Sequence, residues 1–435
     1  MSGDQRIPLT DHVADAAALL GSVSGTEVIP LDGRAVGRVA VAEQRARVDV
    51  PGLDNSQMDG FALAAGDLAG AGVAVTLPLG PVIAAGDGPG VLEPGTARPI
   101  MTGAPLPDGA DLVVPVEESA DGRFAAAAAS GAVRSGAVRS RSVTAETTSV
   151  TLTPASVEGG RFVRRRGSDT HRGDTVLRED RLLTPPRIAH LAACGVRDIA
   201  VRARVRTIVL STGSEVRPAR TGAPAPGALF DANGPGLAAA LTDAGAEVVH
   251  TAVVPDEAET LLEHLRTQIR ALDAELVVTS GGVSMGAYEV VRHAAAHDGV
   301  ILAFATLALQ PGGPQGIGTV EVDGRRVPWL AFPGNPVSAL LSCELIARPA
   351  LGAPERRRLR LPLQLEAEES SPEALDQYRR ARVLPSGRVR LVGGASSHLI
   401  GGYAAADALV RVPPGTALVR DGDLLETLLI PGGDS

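Results

Sequence analysis

The feature that most constrains the fold is an alternation of short strands and helices that begins after residue 184. Apolar, β-branched runs predict the strands, and apolar residues spaced three or four positions apart predict the helices between them. Strands that alternate with helices form parallel βαβ units. The region 184–350 therefore predicts a three-layer α/β domain. Its predicted strands are 206–210, 246–253, 275–279 and 327–332, and its predicted helices are about 184–195, 234–244, 256–272 and 287–297, with a last helix ending near 349.

The regions on either side of this domain have a different pattern. Residues 8–21 predict a helix with Thr10 as its N-cap, and residues 36–50 look extended. The stretch 72–135 is rich in Gly, Pro and Val, which indicates a small β-rich module. Short strands divided by Gly/Pro turns over 359–435 predict a C-terminal β domain or barrel. A chain of 435 residues has room for about three or four such domains.

Charge and composition exclude several classes of partner. The formal net charge is −9, and the sequence contains no lysine, so all 41 basic residues are arginine. A nucleic-acid partner usually requires a basic face, so we expect none. No apolar run approaches the length of a membrane helix, and no signal peptide is evident, so we expect a cytoplasmic protein. Cys194 and Cys343 lie in apolar, helix-like stretches and are expected to be reduced core thiols.

Three strands of the predicted sheet end in loops of Gly, Ser, Thr and Pro. Ligands of open parallel sheets bind beyond the carboxyl ends of the strands, where glycine admits an anion and helix N-termini offer N–H groups. Any one of these loops is more often a plain turn, but three on one edge predict a site for a phosphorylated ligand. The candidate binding residues are Ser211, Thr212, Gly213, Ser280, Gly281, Gly282, Ser284, Pro333, Asn335 and Pro336.

Carboxylates are predicted near the same edge. Glu215 follows the first loop, Asp256 begins a helix, and Glu289 lies just after the second loop. Each has an ordinary alternative, since Asp256 fits a helix cap and Glu289 fits an acid favoured by the helix dipole. Together with ligand phosphates they suit Mg²⁺, which prefers a few carboxylates, phosphate oxygens and water.

Seven segments along the chain resemble those of one known family. They are DNSQMDGFAL, IMTGAPLPDGADLVVPVEE, RRRGSD, STGSE, TSGGVSMG, FPGNPVSALL and SSHLIGGYAAADALVRVP. Their order and spacing resemble the molybdopterin molybdenumtransferases of the bacterial MoeA type, to which the gephyrin E domain is similar. The resemblance implies an elongated linker domain, an inserted β-rich module, an α/β molybdopterin-binding domain and a C-terminal β domain. The predicted bounds are 8–50 with 141–183, 51–140, 184–350 and 351–435 respectively.

The family's reaction, as the resemblance implies it, joins molybdate to adenylylated molybdopterin with Mg²⁺ and releases AMP. It also implies a homodimer whose cleft combines the α/β domain of one subunit with the inserted module of the other. The resemblance implies three sets of site residues. The catalytic residues are Asp59, Thr102, Asp169 and Asp256, and the Mg²⁺ ligands are Glu215, Asp256 and Glu289, where Glu289 stands at a position that is usually Asp in the family. The molybdate-binding residues are Ser338, Arg380 and Ser397. Asp59 or Asp256 is the candidate to orient a nucleophilic oxygen.

One stretch departs from the family pattern. Thr306, Gln310 and Gly313 stand where basic residues, mostly Lys, are usual. Loss of these charges should weaken an anion site, since each charge-assisted hydrogen bond is worth roughly 1.5–3 kcal/mol. The candidates to compensate are Arg98, Arg292 and His293. The main alternative to the enzyme is therefore a related protein that binds or carries molybdopterin without efficient insertion. A more distant alternative is an unrelated nucleotide-binding α/β enzyme.

Overall fold

The computed structural model describes residues 6–122, 149–219, 226–284 and 289–432. The alanine run at 125–129 and the repeated GAVRS at 131–140 lie outside the described residues. Within the described ranges, no helix is long and apolar enough to cross a membrane. Cys194 and Cys343 are both buried and unpaired, which confirms the prediction of two reduced core thiols.

The N-terminal half contains short strands around a single long helix. This helix begins after Pro8, and no side chain caps it, so the predicted cap at Thr10 is wrong. The stretch 36–50, predicted as extended, contains one two-residue strand. The helices and strands up to residue 202 are α1 (Leu9–Leu20), β1 (Thr26–Pro30), β2 (Gln44–Arg45), β3 (Asn55–Ser56), β4 (Gly60–Leu63), β5 (Val75–Pro78), β6 (Arg98–Ile100), β7 (Leu112–Pro115), β8 (Ser149–Leu152), β9 (Val163–Arg164), β10 (Thr175–Leu177), α2 (Pro185–Ala193) and β11 (Asp198–Arg202).

The linker region reaches further along the chain than predicted. Strand β11 pairs antiparallel with β1, and Leu191 of α2 packs in one core cluster with Ala35, Leu177 and Ile199. The predicted start of the α/β domain at residue 184 is therefore wrong, because α2 and β11 bury their apolar side chains in the linker. The α/β domain begins at the next strand.

The inserted module also extends beyond its predicted end. Strand β4 lies between β6 and β7, and β5 pairs with β8. Val150 and Leu152 of β8 pack against Phe61 and Leu63 of the module core. Strand β8 therefore belongs to the module, although it falls within the predicted linker segment 141–183.

The α/β domain is built on a six-stranded mixed sheet. Its strand order is β15-β12-β16-β20-β19-β17. The first four strands are parallel, whereas β19 pairs antiparallel with both neighbours. The remaining elements of the chain are β12 (Arg206–Thr212), β13 (Val216–Arg217), β14 (Leu229–Phe230), α3 (Asn233–Asp243), β15 (Glu247–Val254), α4 (Ala258–Leu272), β16 (Leu276–Ser280), α5 (Val290–Ala294), β17 (Val300–Thr306), β18 (Leu309–Gln310), β19 (Pro314–Val322), β20 (Arg325–Phe332), α6 (Pro336–Ser342), a π-helical turn (Cys343–Ala347), α7 (Arg348–Ala350), β21 (Arg358–Gln364), β22 (Glu369–Ser370), β23 (Asp376–Val383), β24 (Val389–Leu391), α8 (Ile400–Ala404), β25 (Ala408–Val412), β26 (Leu418–Val419) and β27 (Leu424–Leu429).

Helices cover both faces of this sheet, which confirms the predicted three layers. Ile208 and Leu210 of β12 face the cluster formed with α4 and α5. Val209, the residue between them, faces α3 and α6 on the other side. The alternation arises because successive side chains of a strand point to opposite faces. Helix α1 packs in the same cluster as Val209, α3 and α6, through Ala16 and Leu20, so the N-terminal helix lies against the α/β domain.

The sequence prediction did not include the antiparallel strands β17 and β19. Gly318 in β19 explains why these two strands come so close. A Cβ atom there would lie 1.8 Å from the carbonyl oxygen of Ile301, so only glycine fits. Glycine weakens the strand pattern of a sequence, which hid the element.

The C-terminal domain is a five-stranded barrel. Strands β24, β21, β27 and β25 follow one another, and β23 pairs with both β24 and β25 to close the ring. Strand β18, which comes from the α/β region, adds to β23 in parallel through the pairs Leu309–Asp376 and Gln310–Gln377. This pairing joins the barrel to the edge of the α/β domain where the predicted loops lie.

Candidate functional site

The loops that follow β16 and β20 meet at the carboxyl edge of the sheet. Ser280 donates from Oγ to the carbonyl oxygen of Pro333 at 3.2 Å. Asn233, at the start of α3, donates from Nδ2 to Ser280 Oγ at 2.6 Å and to the carbonyl oxygen of Gly334 at 2.7 Å. The sequence prediction missed Asn233, because nothing in the local pattern distinguishes it from an ordinary helix start.

Backbone conformation explains the two glycines of the second loop. Gly281 has φ +100° and Gly282 has φ +68°, which other residues rarely adopt. A Cβ on Gly281 would lie 2.5 Å from Thr212 Oγ1, so the first and second loops can approach only without a side chain there. The three predicted loops therefore form one continuous edge.

Acidic side chains hold the backbone of these loops. Asp231 accepts hydrogen bonds from Ser211 Oγ at 2.8 Å and from the Gly234 amide at 2.9 Å. Asp256 accepts from the Ser214 amide at 2.8 Å, so it fixes the first loop and is not the cap of α4, which begins after Glu257. Across the described ranges, no three His, Cys, Asp or Glu residues form a group placed to hold a metal ion.

The predicted magnesium ligands thus lie on separate loops. Glu215 is exposed beside the first loop, and Glu289 accepts a hydrogen bond from the Ser284 amide at 3.0 Å. Glu215 therefore lies beside the first predicted phosphate-binding loop, and Glu289 lies beside the second. Their oxygens are the ligand type that Mg²⁺ takes when phosphate and water complete its shell.

A cavity of about 590 Å³ opens at this edge, between the α/β domain and the barrel. Five of the predicted site residues line it, together with the three uncharged positions at 306, 310 and 313. Its described lining residues are Arg6, Ser284, Thr306, Leu309, Gln310, Pro311, Gly312, Gly313, Pro314, Pro333, Gly334, Asn335, Ser338, Leu375, Ala395, Ser396 and Ser397. Hydroxyl, amide and backbone groups give the cavity a polar but largely uncharged wall.

Two of the three predicted molybdate residues, Ser338 and Ser397, meet in the wall of the cavity on its barrel side. The Val337 amide donates to the carbonyl oxygen of Ser397 at 3.3 Å, which places Ser397 beside Ser338 on α6. Arg380 is only 2% exposed and is not among the described lining residues. It donates from Nη2 to the carbonyl oxygens of Gly394 and Ser396. Arg380 therefore lies behind the loop that carries Ser397.

Arg380 is also incompletely bonded for a buried cation. Among the described residues, neither its Nε nor its Nη1 has a hydrogen-bond partner. Burial, and next the neighbouring Arg379, lower the pKa of Arg380 from its ordinary value. A buried guanidinium with free donors is a strong attractor for an anion that reaches it.

The module brings two predicted catalytic residues together away from this cavity. Asp59 Oδ1 accepts from the Thr102 amide at 2.7 Å and from Thr102 Oγ1 at 2.9 Å. No described residue that lines the cavity belongs to the module. Asp169 lies elsewhere again, where Thr170 Oγ1 donates to it at 3.3 Å and His190 Nε2 is 4.0 Å away.

Two arginines of the triplet are paired with carboxylates, and they join two of the sequence motifs. Arg165 lies 2.6 Å from Asp54, and the Arg166 amide donates to the same carboxylate at 2.7 Å. That backbone hydrogen bond is the main cause that lowers the pKa of Asp54. Arg166 Nε also contacts Asp49 at 2.5 Å. The pairs hold the DNSQMDG segment against the RRRGSD segment.

None of the three suggested compensating residues lies in the wall of the cavity. Arg98 donates to the carbonyl oxygens of Pro81 and Val91 within the module. Arg292 donates to the Val283 carbonyl oxygen and lies 4.4 Å over the Phe304 ring. Neither these two nor His293 is among the described lining residues. The charged residue that does line the cavity is Arg6, for which the sequence carries no signal.

Three family models match consecutive parts of the chain. The model described as "MoeA N-terminal region (domain I and II)" matches residues 7–195. "Probable molybdopterin binding domain" matches residues 208–353, and "MoeA C-terminal region (domain IV)" matches residues 362–430. The ends of these models lie close to the domain boundaries of the structure. The first model ends before β12, where the α/β domain begins, and the third model begins within β21, a strand of the barrel.

Curated relatives match over most of their length. "Molybdopterin molybdenumtransferase 2" of Mycobacterium tuberculosis is 38% identical over 414 residues, which cover 92% of this chain and 93% of that protein. The molybdopterin molybdenumtransferase of Synechococcus elongatus is 31% identical, with 89% and 91% covered. A crystal structure of a "molybdopterin biosynthesis moea protein" from Pyrococcus horikoshii has a TM-score of 0.71 at 24% identity, with 98% of this chain and 100% of that chain covered. That likeness shows that the two chains have the same fold.

Proposed function

The chain belongs to the MoeA family of molybdopterin molybdenumtransferases, and from this membership we propose that it inserts molybdate into adenylylated molybdopterin in the cytoplasm, with Mg²⁺-dependent release of AMP. The single observation that best supports this activity is the cavity at the carboxyl edge of the sheet. There the loop of Ser338 meets the barrel loop of Ser397. A tetrahedral oxyanion and a phosphorylated pterin both need such a cluster of hydroxyl and amide donors.

Each part of the cavity edge has a distinct task in this proposal. The loops at 211–213, 280–284 and 333–336 bind the pterin phosphates through backbone amides and hydroxyls. Ser338 and Ser397 bind molybdate, while Arg380 positions the Ser397 loop through its bonds to Gly394 and Ser396. Fixed donors of this kind act by positioning and electrostatic stabilisation.

Magnesium fits the carboxylates at the same edge. One or two of the carboxylates of Glu215, Asp256 and Glu289 would hold the ion, and phosphate oxygens and water would complete its shell, since Mg²⁺ commonly uses only one or two protein carboxylates. A magnesium ion held there would supply positive charge that stabilises the negative oxygens of the phosphoanhydride. The side chains have a second task, because Asp256 and Glu289 also fix the backbone of the first two loops.

We further propose that the active unit is a homodimer. Asp59 and Thr102 are bonded to each other in the module, yet the cavity wall of the same chain has no described residue from that module. The catalytic pair would therefore reach the cavity of a second copy. A symmetric dimer makes two equivalent clefts in this way.

The competing function is that of a carrier which binds molybdopterin without inserting metal. The observation that favours it is the absence of charge at Thr306, Gln310 and Gly313, all of which line the cavity. An anion held without a positive charge nearby is held weakly.

An insertion assay separates the two functions. Purified protein is mixed with adenylylated molybdopterin, Mg²⁺ and molybdate, and AMP release is followed together with reconstitution of an apo-molybdoenzyme. We expect AMP in proportion to reconstituted enzyme, and no AMP after chelation of the magnesium. Tight pterin binding without AMP release, unrepaired in a Gln310→Lys, Gly313→Lys variant, would overturn the transferase and leave the carrier.

A further inference from the structure

We propose that Arg6 supplies the positive charge of the cavity and binds a tetrahedral dianion there, either molybdate or the phosphate of the pterin ligand. Arg6 is the only charged residue among the described residues that line the cavity, and no carboxylate is among them. The inference rests on the proposed function for the identity of its ligand. It assigns the missing charge to a residue that is far along the sequence from the loop of Ser397.

The N-terminal segment is attached to the cavity wall by its backbone. The Ile7 amide donates to the carbonyl oxygen of Thr306 at 3.1 Å, and the Ala308 amide donates to the carbonyl oxygen of Ile7 at 2.9 Å. These bonds form a parallel bridge between Ile7 and Leu307. Arg6 is thereby placed beside the stretch whose own side chains carry no charge.

Helix α1 secures this segment from the other side. It begins at Leu9, two residues after the bridge, and buries Ala16 and Leu20 in the cluster shared by the α/β domain and the barrel. Leu9 and Val13 pack against the same cluster. Because the backbone is fixed at Ile7 and again along α1, Arg6 is held at the wall of the cavity, next to Ile7.

The remaining wall offers neutral donors that complement one guanidinium. Gln310 Oε1 accepts from Gln377 Nε2 at 2.7 Å, which leaves the Gln310 amide N–H groups to donate. The hydroxyls of Ser338 and Ser397 lie in the same wall. A planar guanidinium offers two parallel donors to one face of a tetrahedral oxyanion, and hydroxyls and amides serve its other oxygens.

The test compares Arg6→Gln with a matched control, Arg326→Gln. Arg326 is also exposed, but it lies at the start of β20, at the opposite end of that strand from the cavity loop. Two readouts are taken: equilibrium dialysis of radiolabelled molybdate and of inorganic phosphate against the intact protein, and the KM of the insertion reaction for each substrate. The dialysis needs no turnover, so failure of the transferase activity and failure of this inference are separate results.

We expect Arg6→Gln to weaken binding of the dianion by about tenfold to a hundredfold, as for loss of a charge-assisted hydrogen bond, while Arg326→Gln changes nothing. If Arg6→Gln raises only the KM and the dissociation constant for molybdate, molybdate is the ligand of Arg6. If it raises only the KM for the pterin substrate and the dissociation constant for inorganic phosphate, the ligand is the phosphate of the pterin substrate. Added salt should weaken binding less in Arg6→Gln than in the unaltered protein, because a charge has been removed.

A rescue variant distinguishes charge from local structure. Gly313 has room for a side chain, since the nearest atom to an added Cβ is the Leu307 carbonyl oxygen at 3.5 Å. We therefore expect Gly313→Arg to restore most of the binding lost in Arg6→Gln. Unchanged affinity and unchanged KM values in Arg6→Gln, or no dianion binding by the unaltered protein, would overturn the inference.

Discussion

Asn233 and Ser280 are joined by a hydrogen bond of 2.6 Å that links the start of α3 to the end of β16, where the second loop begins. The same Asn233 amide donates to the Gly334 carbonyl oxygen, so one side chain holds two of the three loops. We predict that Asn233→Ala lowers the free energy of unfolding by about 1–3 kcal/mol, the cost of two unpaired partly buried acceptors. It should also raise the KM for the pterin substrate, because the loop spacing is lost.

Urea unfolding and steady-state kinetics measure the two effects. The matched control is Asn233→Asp, which has the same shape but cannot donate, and we expect it to behave like the alanine variant. An Asn233→Asp protein with unaltered KM would show that the amide donors do not set the loop spacing.

The position of this edge could be predicted from the sequence because it follows from local rules. Strands that alternate with helices are parallel, so the ends of β12, β16 and β20 must lie together. The glycines of the second loop also carry a direct signal, since their conformations require glycine. Contacts that link distant parts of the chain have no such signal, which is why Asn233 and Arg6 were missed.

The predicted domain boundaries were wrong for a related reason. Strand β8 looks like any short β run, and only its pairing with β5 assigns it to the module. Helix α2 likewise has the pattern of an α/β helix, but Leu191 is buried in the linker core. An amphipathic pattern shows that one face is buried and leaves open what covers it.

The bond between Asp59 and Thr102 leads to a prediction about subunit assembly. We predict that Asp59→Asn and Ser338→Ala each abolish most insertion activity, and that mixing the two variants restores part of it. If the cleft combines two subunits, a mixed dimer has one cleft with both residues intact. Random pairing should then recover about a quarter of the unaltered activity, since about half the dimers are mixed and each has one intact cleft of two.

Co-expression with two affinity tags isolates the mixed dimer, in which one intact cleft of two should give about half of the unaltered activity. Each variant expressed alone is the control. Sedimentation velocity should show a dimer in every sample. A mixed dimer as inactive as its parents would place both residues in the cleft of a single chain, contrary to the proposal.

Arg380 predicts a difference between charge and geometry. Its Nη2 donates to the carbonyl oxygens of Gly394 and Ser396, and these bonds fix the loop of Ser397. We predict that Arg380→Lys, which keeps the charge but loses the planar fork, lowers the free energy of unfolding by about 2–3 kcal/mol. The KM for molybdate should rise, with little change in the KM for the pterin substrate.

Thermal unfolding and the two KM values test this prediction. Arg390→Lys, a change at an exposed position of the neighbouring strand β24, is the matched control, and we expect it to alter neither the stability nor the KM values. An Arg380→Lys protein that keeps its stability but loses molybdate binding would mean that the guanidinium contacts the anion directly.

The histidine pair away from the cavity predicts how stability depends on pH. His250 Nε2 and His264 Nε2 are 3.0 Å apart, between β15 and α4. Burial lowers the pKa of His264, and burial followed by the neighbouring His264 lowers the pKa of His250, both from an ordinary value of 6.5.

The unfolded chain therefore binds protons at a higher pH than the folded chain does. By linkage, the free energy of unfolding should fall as the pH drops below about 6.5, and it should level off only below the folded pKa values. We expect His264→Gln to flatten this dependence, because it removes one partly buried histidine and the repulsion felt by the other. Urea unfolding at a series of pH values measures the slope, and His297→Gln, which replaces a histidine outside the pair, is the control. Equal slopes in the unaltered protein and in His264→Gln would show that other groups govern the acid sensitivity.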